Sequence, residues 1–142
     1  MTLPRAFLSA LEDYVEMRDA AMARARRDLG VSDLEAAALA CIAEEPGIRP
    51  SNLRGHLGVT AAGVTTLVDR LIGRGLLRRE LDALDRRVNH IYLEIDLDAD
   101  PWSSLRRFPR DVEAVIRDEP ADAVAVATDV LVRITERVRS RA

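Results

Sequence analysis

The fold of this chain is decided by the stretch from Gly58 to Glu80, which reads GVTAAGVTTLVDRLIGRGLLRRE. Thr60 is a favourable N-cap, apolar residues then repeat at helical spacing, and Gly75 stands where a glycine ends many helices. The pattern predicts one amphipathic helix over residues 60–74. Its outer face carries Thr65, Thr66, Asp69, Arg70 and Arg74. Small and basic side chains can approach base edges and phosphates, so this face suits the DNA major groove.

A short helix precedes this one and ends at Gly58. Pro50 suits its first position, whereas Arg49 is a poor N-cap, so its start is the weakest boundary. Together the two segments predict helix, tight turn, helix. Gly55 is expected to allow a close approach where the two helices cross.

Two strands follow, over residues 76–80 and 88–95, and the second alternates between two faces. The connection from Leu81 to Arg87 lacks the chemistry of a tight hairpin turn, so it is expected to protrude as a wing. His90 has no nearby cysteine, histidine or paired carboxylate in the sequence and is expected to be a partly exposed strand residue. No metal site and no cofactor are predicted.

The ends of the chain are helical. Pro4 to Gly30 predicts a first helix of some 25 residues, and the Ser32-Asp33-Leu34-Glu35 capping box opens a second. The second helix is expected to bury Leu34, Ala38, Cys41 and Ile42. Because Pro109 interrupts the pattern after Pro101, two pieces are expected there, 101–108 and 109–119. A last helix over 121–141 carries an apolar stripe.

Composition narrows the classes of function. The chain has 142 residues, which fits a single domain over 1–142, and no stretch approaches the roughly 20 apolar residues of a membrane span. We therefore expect a cytoplasmic protein. All 21 basic residues are arginine, and residues 49–90 carry a local net charge of +4 while the remainder carries −7. A basic middle in an acidic chain favours a polyanionic partner.

The order of helices, the run Val64 to Arg79 and the segment Asp82 to Arg87 together resemble the MarR family of winged helix-turn-helix transcription regulators. Residues 82–87 resemble the family's wing signature Asp-Pro-x-Asp-x-Arg, with Ala83 in place of proline. The resemblance implies a mainly α fold with a small β-wing. It implies a DNA-binding lobe over 32–95 and dimerisation helices over 3–30 and 101–141.

The resemblance also implies a homodimer on a pseudo-palindromic operator of double-stranded DNA. It makes Arg87 the wing arginine held by Asp85. The expected DNA-binding residues are Thr60, Thr65, Thr66, Arg70, Arg74, Asp85, Arg86 and Arg87. By the same resemblance a small aromatic or phenolic ligand would modulate binding. Its expected lining is Tyr14, Met17, Trp102 and Phe108.

Two other classes of function compete with this interpretation. A winged-helix module that binds a protein and no DNA is favoured by the overall negative charge. It is also favoured by Ala61-Ala62-Gly63 at the start of the helix, because these side chains cannot hydrogen-bond to bases. Arginines on the exposed helix face and in the wing argue against it. An enzyme is not expected, because the sequence holds no nucleophile and base pair, phosphate-binding glycine loop or metal ligand set.

Overall fold

The computed structural model describes residues 2–142, and these form six helices and one two-stranded antiparallel sheet. In chain order the elements are α1 (Leu3–Leu29), α2 (Asp33–Glu44), α3 (Pro50–Leu57), α4 (Ala61–Gly73), β1 (Leu77–Leu81), β2 (Asn89–Leu93), α5 (Ser104–Arg117) and α6 (Ala121–Arg139). This confirms the predicted fold class, mainly α with a small β-wing.

The chain divides into two compact units. The first ends at Arg106 and contains α1 to α4 and the sheet, while the second covers residues 107–142 and contains α6. The single domain expected over 1–142 stays a prediction.

The predicted helix ends are present. Gly30 and Gly58 adopt left-handed φ values of 65° after α1 and α3, as only glycine does at little cost. The Ser32 hydroxyl accepts from the Glu35 amide at 3.1 Å, and the Glu35 carboxylate accepts from the Ser32 amide, which completes the capping box.

The core of the first unit is apolar and joins α2, α3, α4 and the sheet. Leu39, Ile42, Leu53, Leu71 and Ile91 are all fully buried. Helix α4 contributes four buried residues from one face, namely Val64, Leu67, Val68 and Leu71. Because burying one such side chain contributes about 1.5–3 kcal/mol, this face fixes the helix and leaves its opposite face to solvent.

Three expectations about packing are wrong. Leu34 is exposed and Cys41 only partly buried, because α2 is rotated so that Glu35, Ala38, Leu39 and Ile42 face the core. At Gly55 no atom of another helix or strand lies within 4 Å of the place that a side-chain methyl would occupy, so this glycine does not mark a close helix crossing.

The break expected at Pro109 is also wrong, since α5 runs through it. Proline removes the hydrogen bond that its own nitrogen would donate and crowds the carbonyl four residues earlier, a local cost of about 3 kcal/mol. Its fixed φ near −65° is helical, so the helix can continue through it. Helix α5 begins at Ser104, later than Pro101. The amides of Ser104, Leu105 and Arg106 bond to carbonyls three residues back, which makes a tight turn before the helix.

The wing strands pair from Leu77 opposite Leu93 to Leu81 opposite Asn89. Ile91 of β2 also forms a bridge with Ile48 on its other side, so β2 is held from both edges and β1 is the outer strand. Among residues 2–142 no helix combines the length and apolarity that crossing a membrane requires.

Candidate nucleic-acid interface

The outer face of α4 presents three threonines whose hydroxyls differ in availability. Thr60 Oγ1 accepts from the Gly63 amide at 3.0 Å and caps the helix. Thr65 Oγ1 donates to the Ala61 carbonyl at 3.0 Å, a common back-bond within a helix. Thr66 is exposed, and within residues 2–142 its hydroxyl has no hydrogen bond. Of the three, Thr66 has the hydroxyl that is free to read a base.

Arg74 is exposed, as the outer-face pattern predicted, but its guanidinium has hydrogen-bond partners within the protein. Its guanidinium donates to the carbonyl oxygens of Gly30 at 2.8 Å and Leu29 at 3.2 Å, and it lies 3.4 Å from a Glu35 carboxylate oxygen. The last carbonyls of a helix lack partners within the helix, and a cation there also meets the negative end of its dipole. Arg74 therefore lies on the exposed face, and its side chain also joins the end of α4 to the end of α1.

Arg70 keeps more freedom. Its side chain is 58% exposed and its Nη1 lies 3.4 Å from the other Glu35 oxygen. A long, half-exposed ion pair contributes little, so the guanidinium can turn toward a phosphate or a guanine at low cost.

Glu35 is the residue of this region that sequence reasoning did not assign to the site. It is a buried charged residue of the first unit, 5% exposed, and faces Arg70 and Arg74 while completing the capping box. The capping-box pattern identified its backbone role. Its ion pairs are with Arg70 and Arg74, which lie 35 and 39 positions later in the chain. No local pattern in the sequence indicates such distant partners.

The tip of the wing is held by its own side chains. Asp85 accepts from the Arg87 amide at 3.0 Å and from the Arg87 guanidinium at 3.1 and 3.2 Å. The Arg87 hydrogen bond lowers the pKa of Asp85, so the carboxylate stays ionised. The Arg87 side chain remains 91% exposed, and Arg86 is exposed beside it. The structure thus brings Asp85 and Arg87 together, as the resemblance implied.

His90 is more constrained than expected. Its Nδ1 lies 2.8 Å from the Gly47 carbonyl oxygen and its Nε2 lies 2.8 Å from Asp82 Oδ2. The bond to Asp82 raises the pKa of His90, with the Gly47 bond adding to it. No pattern in the sequence indicates this arrangement, because Gly47 lies 43 residues away.

Two further arginines near the wing have internal partners. Arg79 donates to Asp69 at 2.9 Å, so Asp69 of the outer face is an anchor for β1. Arg78 bonds Glu80 at 2.8 Å and stacks over Tyr92 at 4.6 Å from the ring centroid.

The four residues expected to line a ligand site differ in their exposure. Tyr14 and Met17 are exposed on α1, at 45% and 68%, and Trp102 packs half-buried against the core of the first unit. Phe108 is half-buried in α5. A groove of about 360 Å³ in the first unit is lined by other residues, including Arg78, Tyr92 and Arg106. No group of three or more His, Cys, Asp or Glu within residues 2–142 could hold a metal ion.

The helix-turn-helix of α3 and α4, followed by the two-stranded wing, defines a winged helix-turn-helix protein. A sequence model of the MarR family matches residues 29–88, so this lobe is similar in sequence to that family. No curated protein matches the chain.

Solved structures share the fold over nearly the whole chain. FabT from Streptococcus pneumoniae, solved in complex with DNA, is 24% identical with a TM-score of 0.70, covering 97% of this chain and 96% of its own. A mutant of MepR from S. aureus, bound to an oligodeoxyribonucleotide, is 16% identical with a TM-score of 0.62, covering 94% and 97%. PcaV from Streptomyces coelicolor, in complex with its natural ligand, is 22% identical with a TM-score of 0.51, covering 95% and 93%.

Proposed function

We propose that this protein is a DNA-binding transcription regulator and not an enzyme. The observation that carries the proposal is the set of exposed basic and hydroxyl groups on two successive elements: Thr66 and Arg70 on α4, and Arg86 and Arg87 on the wing. Basic groups neutralise phosphates, while a helix in the major groove reads bases. The DNA complexes of FabT and MepR, which share this fold, support the same use.

The eight expected DNA-binding residues take different parts in this proposal. Thr66, Arg70, Arg86 and Arg87 contact DNA, and Thr65 offers only its remaining acceptor capacity. Thr60, Arg74 and Asp85 act by fixing the helix cap, the helix end and the wing arginine.

The regulator acts as a homodimer on a pseudo-palindromic operator. The exposure of apolar side chains in the single chain supports a homodimer, because α1 and α6 each carry several of them. On α1 these include Phe7, Leu8, Tyr14, Val15 and Met17, and on α6 Val126, Leu131, Val132, Ile134 and Val138. Exposed apolar side chains grouped along one helix are typical of a protein interface.

A small aromatic or phenolic ligand modulates DNA binding in this proposal, with Tyr14, Met17, Trp102 and Phe108 as its lining. The ligand complex of PcaV supports ligand control on this fold. Partly exposed aromatic side chains supply the stacking surface that such a ligand needs.

The test is a mobility-shift titration with the DNA that flanks the protein's own gene, at several salt concentrations. Specific binding with a logarithmic salt slope of several units supports the proposal, because each neutralised phosphate contributes about 0.9 to the slope. Equal and weak binding to all DNA would contradict it.

The second candidate is a winged-helix module that binds a protein. It is favoured by the overall charge of −3 and by the internal partners of Arg74 and Arg79. It predicts no salt-dependent DNA binding in the same titration.

A further inference from the structure

His90 lies between two groups that can only accept a hydrogen bond. One is the backbone carbonyl of Gly47 and the other is the carboxylate of Asp82, each 2.8 Å from a ring nitrogen. A neutral imidazole carries one N–H and can satisfy one acceptor, whereas the imidazolium carries two. The geometry therefore matches the doubly protonated ring.

Asp82 is ionised in this arrangement. Its Oδ1 accepts from the backbone amides of Leu84 at 2.9 Å and Asp85 at 3.0 Å, while its Oδ2 faces His90. These bonds, the His90 one foremost, lower the pKa of Asp82 to about 2. The carboxylate is thus an acceptor throughout the neutral range.

Other charges face the ring from each neighbouring segment. Glu80 of β1 stands opposite His90 in the strand register, and Asp82 and Asp85 come from the wing turn. Arg49, at the start of α3, opposes the positive charge. The Asp82 hydrogen bond, with the Gly47 bond and the Asp82 charge, outweighs desolvation and Arg49, so the pKa of His90 is raised.

The Gly47 end of this arrangement is attached to the buried core, whereas the Asp82 end lies in an exposed loop. The Gly47 amide donates to the Ile91 carbonyl at 2.9 Å, and Ile48 bridges to Ile91, both of these isoleucines being fully buried. At the other end Leu84 is 98% exposed and Arg87 91% exposed. A contact that runs from Gly47 to the wing turn thus ties an exposed loop to the core.

We propose that His90 is a positioning residue for the wing: its imidazolium links the Gly47 carbonyl to Asp82, which shapes the turn in which Asp85 holds Arg87. The inference rests on the proposed function, in which Arg87 contacts DNA. His90 itself contacts no DNA. Loss of one ring proton breaks one of the two links and releases the wing turn from the core.

The expected signature is a wing that contributes to DNA binding at low pH and less at high pH. As the pH rises through the raised pKa of His90, affinity falls and the logarithmic salt slope decreases by about one unit, the contribution of one phosphate contact. All basic side chains other than His56 and His90 are arginines, which keep their charge over this range.

The experiment measures affinity and salt slope for operator DNA in the wild-type chain, in His90→Gln and in Asp82→Asn. The pH runs from about 5.5 to 9, a range that brackets the ordinary histidine pKa and a raised one. Asp82→Asn keeps an oxygen for the Leu84 and Asp85 amides but removes the charge that favours the imidazolium. Both variants should lose the pH dependence. His90→Gln should match the high-pH wild type. In Asp82→Asn the side-chain amide can donate to a neutral His90 ring that still donates to Gly47, so this variant should keep the wing linked at high pH. His56→Gln, an exposed residue of α3, is the matched control and should keep the wild-type profile. A wild-type profile in His90→Gln would overturn the proposal.

A second readout needs no DNA. Nitrogen NMR of the imidazole, with hydrogen exchange of the Leu84 and Asp85 amides, follows the ring and the turn in the free protein. Both ring nitrogens should be protonated below the raised pKa of His90, and amide protection should fall as the ring titrates. A neutral ring with protected amides would contradict the inference, whereas failure of the proposed function would abolish DNA binding and leave this titration intact.

Discussion

The guanidinium of Arg74 donates a 2.8 Å hydrogen bond to the carbonyl oxygen of Gly30, 44 residues earlier in the chain. Gly30 ends α1 and Arg74 caps α4, so one side chain joins the longest helix to the proposed recognition helix. Movement at the end of α1 would therefore be transmitted to the end of α4 through a charged contact.

Arg74→Ala and Arg70→Ala should separate anchoring from DNA contact. Removing Arg74 loses hydrogen bonds from a charged donor, so the free energy of unfolding should fall by about 1–3 kcal/mol with little change in salt slope. Removing the exposed Arg70 should leave stability nearly unchanged but lower the salt slope by about one unit. Urea unfolding and salt-dependent binding measure both quantities. An equal loss of slope in the two variants would contradict the distinction.

Glu35→Ala should destabilise the protein by about 1–2 kcal/mol, because the Ser32 amide, Arg70 and Arg74 all lose their carboxylate acceptor, while the bond from the residue 35 amide to the Ser32 hydroxyl remains. Glu35→Gln retains an oxygen for the Ser32 amide and should cost less. Urea unfolding of the two variants tests this. Equal stability of Glu35→Ala and the wild type would show that the buried carboxylate contributes nothing net.

Thr66→Ala should change the preferred DNA sequence more than Thr65→Ala does. The Thr65 hydroxyl already donates to Ala61, while the Thr66 hydroxyl is free among residues 2–142. Loss of a good base contact costs roughly 1–3 kcal/mol at the affected base pair. Selection of bound sequences from a random pool, done for both variants, measures the preference. A larger change of sequence preference in Thr65→Ala than in Thr66→Ala would contradict the assignment of Thr66 as the base-contacting residue.

Arg87→Ala should weaken binding to most sequences alike and lower the salt slope by about one unit, because wing contacts go to phosphates or the degenerate minor groove. Asp85→Ala should weaken binding by a smaller factor, since Arg87 keeps its charge but loses its orientation. Titrations with operator and unrelated DNA test this. Unchanged affinity and slope in Arg87→Ala would move the protein-binding alternative ahead.

Ile134→Asp with Val138→Asp should dissociate the proposed homodimer, since an unpaired buried charge is costly. Both side chains are exposed in the single chain, at 40% and 61%, so its own fold should tolerate the change. Arg133→Asp reverses a charge on the same helix off the apolar stripe, which gives the same change in net charge as the double variant, and it serves as the control. Sedimentation gives the mass of each, and a monomeric wild type would rule the dimer out.

The elements of the fold were predictable because their signals are local. The Ser32 capping box, the Thr60 cap and Gly75 lie within a few residues of the helix ends that they define. The helix break predicted at Pro109 was wrong, because the effect of this proline is confined to its own turn and the helix continues through it.

The side-chain partners of the site were not predictable. Arg70 and Arg74 both fall on the polar side of the α4 pattern, yet the tertiary contacts of Glu35 and Gly30 reach them from other elements. His90 likewise depends on Gly47, which only the fold brings near. Asp85 and Arg87 are two residues apart, and this pair was accessible from a motif.

None of the 19 residues of α6 is buried in the single chain. If this helix is covered only when two chains meet, the amount of active dimer rises with the square of chain concentration in dilute solution, because association follows mass action. Operator occupancy would then respond steeply to the amount of protein made. A modest change in expression would act on transcription as a dosage signal, independent of any ligand.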